Sequence, residues 1–322
     1  DWPPGPAAPV ARDTRARVGP GCPVCVTPGS IIDAAADLAV KQGVSILSFG
    51  DMVRVPGNRR SLEGVSTDGA DVRVVTSPLQ AVRIAIEEPQ RRFVFVAVGF
   101  ETTIPVVARA VEEAGRAGLR NLTFLVTHRL VPPALDALVG DATLRIDGFI
   151  LPGHVSAIIG ERAYARLVAA GVAGVITGFE SLDILAGVHE SLTLLAEGRV
   201  EIVNCYRRVV RPEGNPRALE LIERVFEPVD APWRGIGVIP QSGLALRGAY
   251  RAFGACAVYG IDAAADEMPG GCSCGDVLKG VIRPDQCPLF GAACTPASPV
   301  GPCMVSSEGS CAAYHKYEVS RQ

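Results

Sequence analysis

The last part of the chain holds a cluster of cysteines of the kind that binds a metal or carries out redox chemistry. Six of the chain's 10 cysteines fall there, in a stretch rich in Pro and Gly with no helical or strand period. They are Cys272, Cys274, Cys287, Cys294, Cys303 and Cys311. Such a segment buries little apolar surface by itself, so something else must hold it together. One Cys-x-Cys and no paired Cys-x-x-Cys favour an iron–sulfur cluster over zinc or disulfides.

Six thiols are more than the four thiolates that an iron–sulfur cluster takes as ligands. The two that remain could form a redox disulfide beside the cluster, and the cluster would then feed electrons into it. The spacing alone leaves open which four residues bind metal. A zinc staple that holds a binding module together stays the alternative.

A second pair of cysteines, Cys22 and Cys25, has the Cys-x-x-Cys spacing of a redox dithiol. A helix is predicted over Ile31–Gln42, with Ser30 as its N-cap. At a helix N-terminus the dipole and the free N–H groups stabilise a thiolate. The other use of this spacing is half of a zinc site, but the chain has no second Cys-x-x-Cys. Redox chemistry or transient metal ligation is therefore expected.

Two polar side chains lie where a predicted strand gives way to a helix. Glu101 follows the apolar strand Phe93–Val98, and His154 follows the strand Gly148–Leu151. In α/β folds, ligands bind at this carboxyl edge of the sheet. Taken alone, Glu101 is more typical of a helix cap than of a base or a ligand. The other histidines and thiols are expected to be structural or buried and inert: His128, His189, Cys205 and Cys256.

Strands alternate with helices along the first two thirds of the chain, which predicts parallel sheets covered by helices on both faces. We expect two facing α/β lobes followed by a loop-rich C-terminal iron–sulfur module. The predicted boundaries are 1–90 for the first lobe, completed by about 236–265, then 91–235 for the second lobe and 266–322 for the module.

Composition excludes several classes of function. The formal net charge is -3, with 31 Lys and Arg against 34 Asp and Glu, so the basic excess needed to bind nucleic acid or an anionic membrane is absent. No apolar run reaches the roughly 18 residues that span a bilayer, and the start, rich in Pro and Ala, does not resemble a signal peptide. A cytoplasmic location is expected, where thiols stay reduced and cysteines are used for metal or redox chemistry.

Five stretches together resemble the HypD family of [NiFe]-hydrogenase maturation factors, from about Val18 to the C-terminus. They are Gly-Pro-Gly-Cys-Pro-Val-Cys at 19–25, Gly-Phe-Glu-Thr-Thr at 99–103, Pro-Gly-His-Val-Ser at 152–156, Pro-Gly-Gly-Cys-Ser-Cys-Gly at 269–275, and Pro-Val-Gly-Pro-Cys-Met-Val-Ser-Ser-Glu-Gly-Ser-Cys at 299–311. The resemblance implies an accessory scaffold with redox-active thiols rather than a conventional turnover enzyme. On this scaffold an iron with two cyanides and one carbon monoxide, Fe(CN)2CO, is assembled. The implied partners are a HypC-type chaperone and a HypE-type cyanide donor.

The resemblance also implies a role for each site residue. The C-terminal module would carry a [4Fe–4S] cluster in a setting similar to that of ferredoxin:thioredoxin reductase. The implied cluster ligands are Cys272, Cys287, Cys294 and Cys311, and the implied redox pair is Cys274 with Cys303. The implied cleft residues are Cys22 and Cys25 as a second dithiol near the iron, Glu101 and His154 as proton-handling groups, and Thr102, Thr103 and Ser156 as hydrogen-bond donors to cyanide.

One family feature has no counterpart in this sequence. Family members carry a Cys-Gly-Gly-His-Thr-type motif upstream of the Cys-x-x-Cys, and its cysteine binds the iron being assembled. Residues 1–17 contain no cysteine, so that ligand is not assigned here. The redox relay alone is carried over residue by residue, and a freestanding thiol/disulfide oxidoreductase that uses the same cysteines is the rival function.

Overall fold

The structure is a computed structural model that describes residues 16–17, 19–142, 144, 146–262 and 269–317. Its chain divides into two compact units. The larger comprises the described residues of Val18–Pro133 and Glu220–Gln322, and the smaller those of Asp1–Arg17 and Ala134–Leu219. Within the described ranges, no helix combines the length and the apolar character needed to cross a bilayer.

The secondary structure alternates as the sequence predicts. The strands are β1 (Ser45–Ser48), β2 (Val72–Val74), β3 (Phe93–Ala97), β4 (Leu122–Val126), β5 (Gly148–Pro152), β6 (Ala173–Thr177), β7 (Ile202–Asn204), β8 (Phe226–Trp233) and β9 (Gly237–Leu246). The helices are α1 (Pro23–Val26), α2 (Gly29–Gln42), α3 (Gly50–Arg54), α4 (Leu62–Thr67), α5 (Pro78–Glu87), α6 (Ile104–Arg116), α7 (Val131–Val139), α8 (Gly153–Ile159), α9 (Ala165–Ala169), α10 (Ser181–Glu197), α11 (Pro216–Val225), α12 (Ala255–Tyr259), α13 (Cys274–Leu278) and α14 (Ser310–Tyr317).

A four-stranded sheet in the order β2-β1-β3-β4 forms the centre of the larger unit, and all its pairings are parallel. Every residue of β3 is buried, as its run of β-branched and aromatic side chains predicts for a central strand. Phe95 meets Phe49 and Phe124 edge to face in the core against α5 and α6. The α/β class with parallel sheets covered by helices is thus confirmed.

The smaller unit has its own parallel sheet in the order β5-β6-β7, with α10 packed against it. The sequence of 156–170 has the pattern of a single helix, but the structure divides it into α8, a 3-10 turn at Glu161–Tyr164, and α9. The break falls at Gly160, whose φ is +84° and where a Cβ would collide with the backbone of Pro212 and Gly214. This position therefore needs glycine, and a glycine with positive φ ends the helix.

The units divide the chain elsewhere than at the predicted 90 and 235. Strand β3 pairs directly with β1, so both belong to one sheet and a division at 90 would cut through it. Around 228–240, where the prolines predict turns, the chain forms the antiparallel hairpin β8–β9, with Pro228 opposite Leu244. Phe226 and Leu244 of this hairpin join the core of the larger unit. The module boundary predicted at 266 lies outside the described residues.

Helix α2 begins at Gly29 with Pro28 at the N-cap, so the prediction of Ser30 as N-cap is wrong. Its buried carboxylate, Asp33, organises the loop that follows α3. The carboxylate accepts hydrogen bonds from the backbone N–H groups of Asn58, Arg59 and Arg60, at 3.0, 3.1 and 3.3 Å. Asp33 thus ties three consecutive backbone N–H groups of this loop to helix α2.

We expect Asp33→Ala to lower the free energy of unfolding by about 3 kcal/mol, because it removes three hydrogen bonds to a buried carboxylate. Urea titration followed by circular dichroism measures the change. The matched control is Asp37→Ala, one turn later on α2, whose carboxylate pairs with exposed Lys41 and Arg59. Exposed pairs contribute less than about 1 kcal/mol. Equal losses in the two variants would contradict the anchoring role of Asp33.

Candidate metal and redox centre

The cysteine-rich segment folds around one pocket that all six of its cysteines line. The lining residues are Cys272, Cys274, Cys287, Leu289, Phe290, Cys294, Gly301, Cys303, Met304 and Cys311. Cys274 is the first residue of α13, Cys311 lies in the first turn of α14, and Cys303 lies in a 3-10 turn, Pro302–Met304. Short helices and turns, rather than a continuous element, position the sulfurs.

The six cysteines differ in their bonding. Cys274 and Cys303 are both buried and form a disulfide, with 6.6 Å between their Cα atoms. The other four pocket cysteines are free thiols. They are Cys272, Cys287, Cys294 and Cys311. The pocket therefore offers four sulfur donors beside one disulfide.

The four free thiols lie close enough to influence one another's ionisation. Burial raises the pKa of Cys311 to about 12, and the neighbouring thiols Cys272, Cys287 and Cys294 add to the shift. Burial also raises the pKa of Cys272, again with contributions from its neighbours. Such thiols stay protonated unless a positive group compensates the charge of their thiolates. A soft metal group does so, because thiolates are its preferred ligands.

The backbone between Cys294 and Cys303 is shaped to the sulfurs. The Val300 N–H group lies 3.3 Å from Cys294 Sγ and donates a hydrogen bond to it. A Cβ atom at Gly301 would lie 2.6 Å from Cys272 Sγ, so any larger residue there would displace that sulfur. Hydrogen bonds to sulfur are a usual means of tuning an iron–sulfur cluster. The donor set, its number and its surroundings fit such a cluster.

Among the described residues, no group of three or more His, Cys, Asp or Glu side chains is placed to hold a metal ion.

A second disulfide joins Cys22 to Cys25, with 5.3 Å between their Cα atoms. Cys22 is the N-cap of α1, and its sulfur accepts a hydrogen bond of 3.2 Å from the Cys25 N–H group. Cys25 Sγ lies 3.7 Å from the carbonyl oxygen of Pro302, the residue before Cys303. The fold therefore brings the Cys-x-x-Cys of the N-terminal part against the disulfide of the C-terminal module.

Glu101 lies at the carboxyl end of β3, and its side chain is fully buried. Its Oε1 accepts a 2.8 Å hydrogen bond from the Val131 N–H group, while Oε2 has no partner among the described residues. Burial raises the pKa of this carboxyl to about 7, against the hydrogen bonds that lower it. Glu101 can therefore exchange a proton near neutral pH, as a general acid or base must.

The raised pKa of Glu101 predicts a pH-dependent stability. Between its ordinary pKa of 4.5 and about 7, the folded state keeps a proton that the unfolded state has lost. Stability must therefore fall as pH rises through this window, by roughly 3 kcal/mol in all. Glu101→Gln, which keeps an acceptor for Val131, should remove this part of the pH dependence. Urea titrations at about pH 5 and about pH 8 compare the two proteins, and identical pH profiles would contradict the prediction.

The two threonines after Glu101 have different surroundings. Thr102 is exposed. Thr103 is the N-cap of α6, and its hydroxyl donates a 3.1 Å hydrogen bond to the Phe100 carbonyl oxygen. The side chain of Thr103 also fills the space where a Cβ at Gly99 would lie, so this turn needs glycine. Thr102 is thus the more available donor of the two.

His154 and Ser156 belong to the smaller unit, whereas the cysteine sites and Glu101 belong to the larger. The His154 ring packs on Phe179 and Tyr206, with 4.7 and 6.3 Å between ring centres. The buried Ser156 hydroxyl donates a 2.9 Å hydrogen bond to the Pro152 carbonyl oxygen and is 2.8 Å from the Tyr164 hydroxyl. The Ser156 hydroxyl is thus used to hold the first turn of α8.

Three of the residues expected to be structural are His128, Cys205 and Cys256. His128 is fully buried against Phe226, and burial with the nearby charge of Arg129 lowers its pKa to about 3, so its ring stays neutral. Cys205 and Cys256 are free but only partly buried, which corrects the expectation that they are fully buried. Burial raises the pKa of both thiols, and this keeps them protonated and unreactive.

An α/β body with a thiol-lined pocket and two adjacent disulfides places the chain in the class of multi-cysteine redox and metal-handling proteins. A sequence model of HypD, described as the hydrogenase formation hypA family, matches residues 10–318. The chain is 44% identical over 309 residues to the hydrogenase maturation factor HypD of Rhodobacter capsulatus, covering 94% of this chain and 82% of that protein.

Two further relatives are also named hydrogenase maturation factor HypD. HypD of Azotobacter vinelandii is 42% identical over 312 residues, covering 94% of this chain and 82% of the relative. HypD of Cupriavidus necator is 39% identical over 315 residues, covering 95% and 83%. The chain belongs to the HypD family of hydrogenase maturation factors.

Proposed function

We propose that the chain is the scaffold on which the Fe(CN)2CO group of a [NiFe]-hydrogenase is assembled, and that it supplies electrons through its own thiols. The observation that carries this proposal is one pocket lined by four free thiols and one disulfide, with a second disulfide against it. The HypD membership of the chain supports hydrogenase maturation as the process it serves.

The four free thiols would hold a [4Fe–4S] cluster as the resident cofactor. They are Cys272, Cys287, Cys294 and Cys311. When bound, this group supplies electrons one at a time at a low potential. The Val300 N–H group and the glycine at 301 keep Cys294 and Cys272 in place for it.

The two disulfides would form a relay made of this chain's own residues. Reducing the Cys274–Cys303 disulfide takes two electrons and two protons and yields two thiols. The Cys303 thiolate would then attack Cys25, forming a mixed disulfide and releasing the Cys22 thiolate. Attack of Cys274 on Cys303 resolves the mixed disulfide, so that one disulfide is restored and the other reduced. The contact between Cys25 and Pro302, next to Cys303, supports this order.

The reduced Cys22 and Cys25 would hold the iron that is the scaffold's cargo, because soft thiolates suit an iron that carries cyanide and carbonyl ligands. Glu101 and His154 would handle protons, and Thr102, Thr103 and Ser156 would offer hydrogen bonds to cyanide. A HypC-type chaperone and a HypE-type cyanide donor are the proposed partners. Free thiols such as these persist in the reducing cytoplasm, where we place the reaction.

The adjacent disulfides also favour a second function, a freestanding thiol/disulfide oxidoreductase that reduces another protein. This function would need no hydrogenase partners. It predicts turnover of a protein disulfide by the isolated, cluster-loaded chain.

Anaerobic purification with a co-expressed HypC-type chaperone tests the proposal. We expect about four irons and four sulfides per chain, and infrared bands of cyanide and carbon monoxide in the complex. Zinc in place of iron would refute the cluster and leave the zinc-stapled module. A full cluster without cyanide or carbonyl bands, together with turnover of a protein disulfide, would favour the oxidoreductase.

A further inference from the structure

Helix α3 holds the chain just after Cys303 through two polar side chains that the relay proposed above does not use. Asp51 and Arg54 lie three residues apart on this helix, where they form an ion pair of 3.8 Å. The Ser306 hydroxyl donates a 2.8 Å hydrogen bond to Asp51 Oδ2, and the Arg54 guanidinium donates a 3.2 Å hydrogen bond to the Val305 carbonyl oxygen. Two side chains of the α/β body thus hold two consecutive residues of the cysteine-rich module.

The module side of this contact is buried and joined to Cys303 by a tight turn. Ser306 is only 1% exposed, and its hydroxyl also accepts a 3.3 Å hydrogen bond from the Glu308 N–H group. The Ser306 carbonyl oxygen accepts a 2.9 Å hydrogen bond from the Gly309 N–H group, and a Cβ at Gly309 would collide with the Cys303 backbone. Close-packed chain transmits displacements, so the positions of Ser306 and Cys303 depend on each other.

The turn that carries Cys303, Pro302–Met304, also contacts α1, where the Cys-x-x-Cys lies. Cys25 Sγ is 3.7 Å from the Pro302 carbonyl oxygen, and both Cys25 and Cys303 are buried. Exchange between two disulfides requires the attacking sulfur to reach the sulfur that it attacks. Such proximity depends on how well the protein holds both groups, because a small misplacement lowers the chance of attack strongly. The contacts of α3 with the chain after this turn therefore affect the exchange.

The ion pair itself adds little to stability. Its side chains are half exposed, with fractions of 48% for Asp51 and 47% for Arg54, and exposed pairs are weak because water and salt screen them. The protein should therefore fold without the pair, while the chain after Cys303 loses its contacts with α3. An experiment can then separate the placement of Cys303 from folding.

We propose that Asp51 and Arg54 are positioning residues of the relay, which hold Cys303 where its sulfur can join that of Cys25. The inference rests on the proposed function, because the disulfide between Cys25 and Cys303 is an intermediate of that relay. A turn that is held by both α1 and α3 keeps one sulfur at a high effective concentration beside the other. Loss of the α3 contacts lowers that concentration without removing either sulfur.

Equilibration with glutathione tests this role in anaerobically purified full-length protein. The background is C22S/C274S, which leaves Cys25 and Cys303 as the only members of the two pairs. When they join, the S–S bond of oxidised glutathione breaks, a bond forms between the two Sγ atoms, and the two thiol protons pass to two molecules of reduced glutathione. Thiol alkylation followed by peptide mass mapping measures the ratio of disulfide to dithiol.

We expect D51A/R54A to lower this ratio by about tenfold at a fixed composition of the glutathione buffer, because the turn loses both contacts with α3. The matched control is R109A/E113A, which removes an ion pair of similar exposure within α6 and should leave the ratio unchanged. S306A removes the Asp51 contact from the module side, so it should lower the ratio as well, by at least about threefold.

An unchanged ratio in D51A/R54A overturns the inference. Should that variant fail to fold, S306A decides alone, and a fall of less than about threefold overturns the inference. An equal fall for the Cys274–Cys303 pair, measured in a C22S/C25S background, also overturns it. The contact would then hold the module together rather than place one cysteine pair against the other.

The background protein without further substitution distinguishes the two proposals. If C22S/C274S forms no disulfide between its two remaining relay cysteines, the proposed relay fails and this inference with it. A normal disulfide whose ratio stays unchanged in D51A/R54A refutes only the inference.

Discussion

Replacing Cys311 by serine is expected to remove nearly all iron and sulfide from the anaerobically purified protein. Burial raises the pKa of this thiol to about 12, so it ionises only when a bound metal compensates the charge. A serine hydroxyl is a far weaker acid than a thiol, and its oxygen is a harder ligand than sulfur. Serine therefore cannot replace the fourth thiolate. We expect iron to fall from about four atoms per chain to less than about half an atom. Chemical assay of iron and sulfide, together with the visible absorption spectrum, measures the loss.

The chain supplies its own controls for this experiment. Cys256→Ser changes a half-buried free thiol of the same unit that does not line the pocket. Cys205→Ser likewise changes a partly buried free thiol, in the smaller unit. Both variants should keep the iron content of the unsubstituted protein. A Cys311→Ser protein that retains four irons would show that Cys311 is not a ligand.

The double substitution of Cys274 and Cys303 by serine separates the relay from the cluster. These two sulfurs are joined to each other in the structure, so four thiols remain for a metal group when they are removed. We expect iron to be retained while hydrogenase maturation is lost. The same outcome from a Cys287→Ser variant would contradict the division of the six cysteines into four ligands and one pair.

Much of the fold could be predicted from local patterns. The apolar, β-branched run at 93–97 predicts a buried strand, and β3 is central in its sheet with every residue buried. Local patterns carry no information where tertiary contacts decide. The division of the chain into units depends on the pairing of β3 with β1, which places Phe93 beside Ser45. This long-range pairing leaves no local trace in the sequence around residue 90.

The hairpin β8–β9 shows a second limit of prediction from the sequence. Its prolines predict turns, because proline lacks the N–H group that a strand interior needs. In a two-stranded ribbon each strand has an unpaired edge, and prolines are tolerated there.

The candidate site was predictable in its residue types and not in its geometry. The composition of the segment after 268 indicates a metal module, and the resemblance to HypD supplies the division of its six cysteines. The contact between Cys25 and Pro302 joins residues 277 positions apart in the sequence. Only the folded chain places the first Cys-x-x-Cys against the second disulfide, so the relay is a tertiary feature.

Gly301 is a position where a single added methyl group should affect cluster binding far more than folding. Its φ of -99° is ordinary for any residue, so alanine would not strain the backbone. The added Cβ would instead lie 2.6 Å from Cys272 Sγ, closer than real contacts allow. In the metal-free chain the thiol could rotate away. A sulfur bound to a cluster cannot do so, so the cost of the methyl group falls on the loaded state.

We therefore expect Gly301→Ala to fold with nearly normal stability and to lose about tenfold or more of its affinity for the cluster. Competition for iron by a chelator, followed by the visible absorption of the cluster, measures that affinity. The matched control is Gly270→Ala in the same module, where a Cβ would meet no atom within 4 Å. If both alanine variants released iron at the same rate, the contact between Gly301 and Cys272 would not control the pocket. Rapid release from Gly301→Ala alone would show that the space beside Gly301 is needed for Cys272 to bind the cluster. Of these two glycines, only Gly301 is placed so that an added methyl group would meet a sulfur.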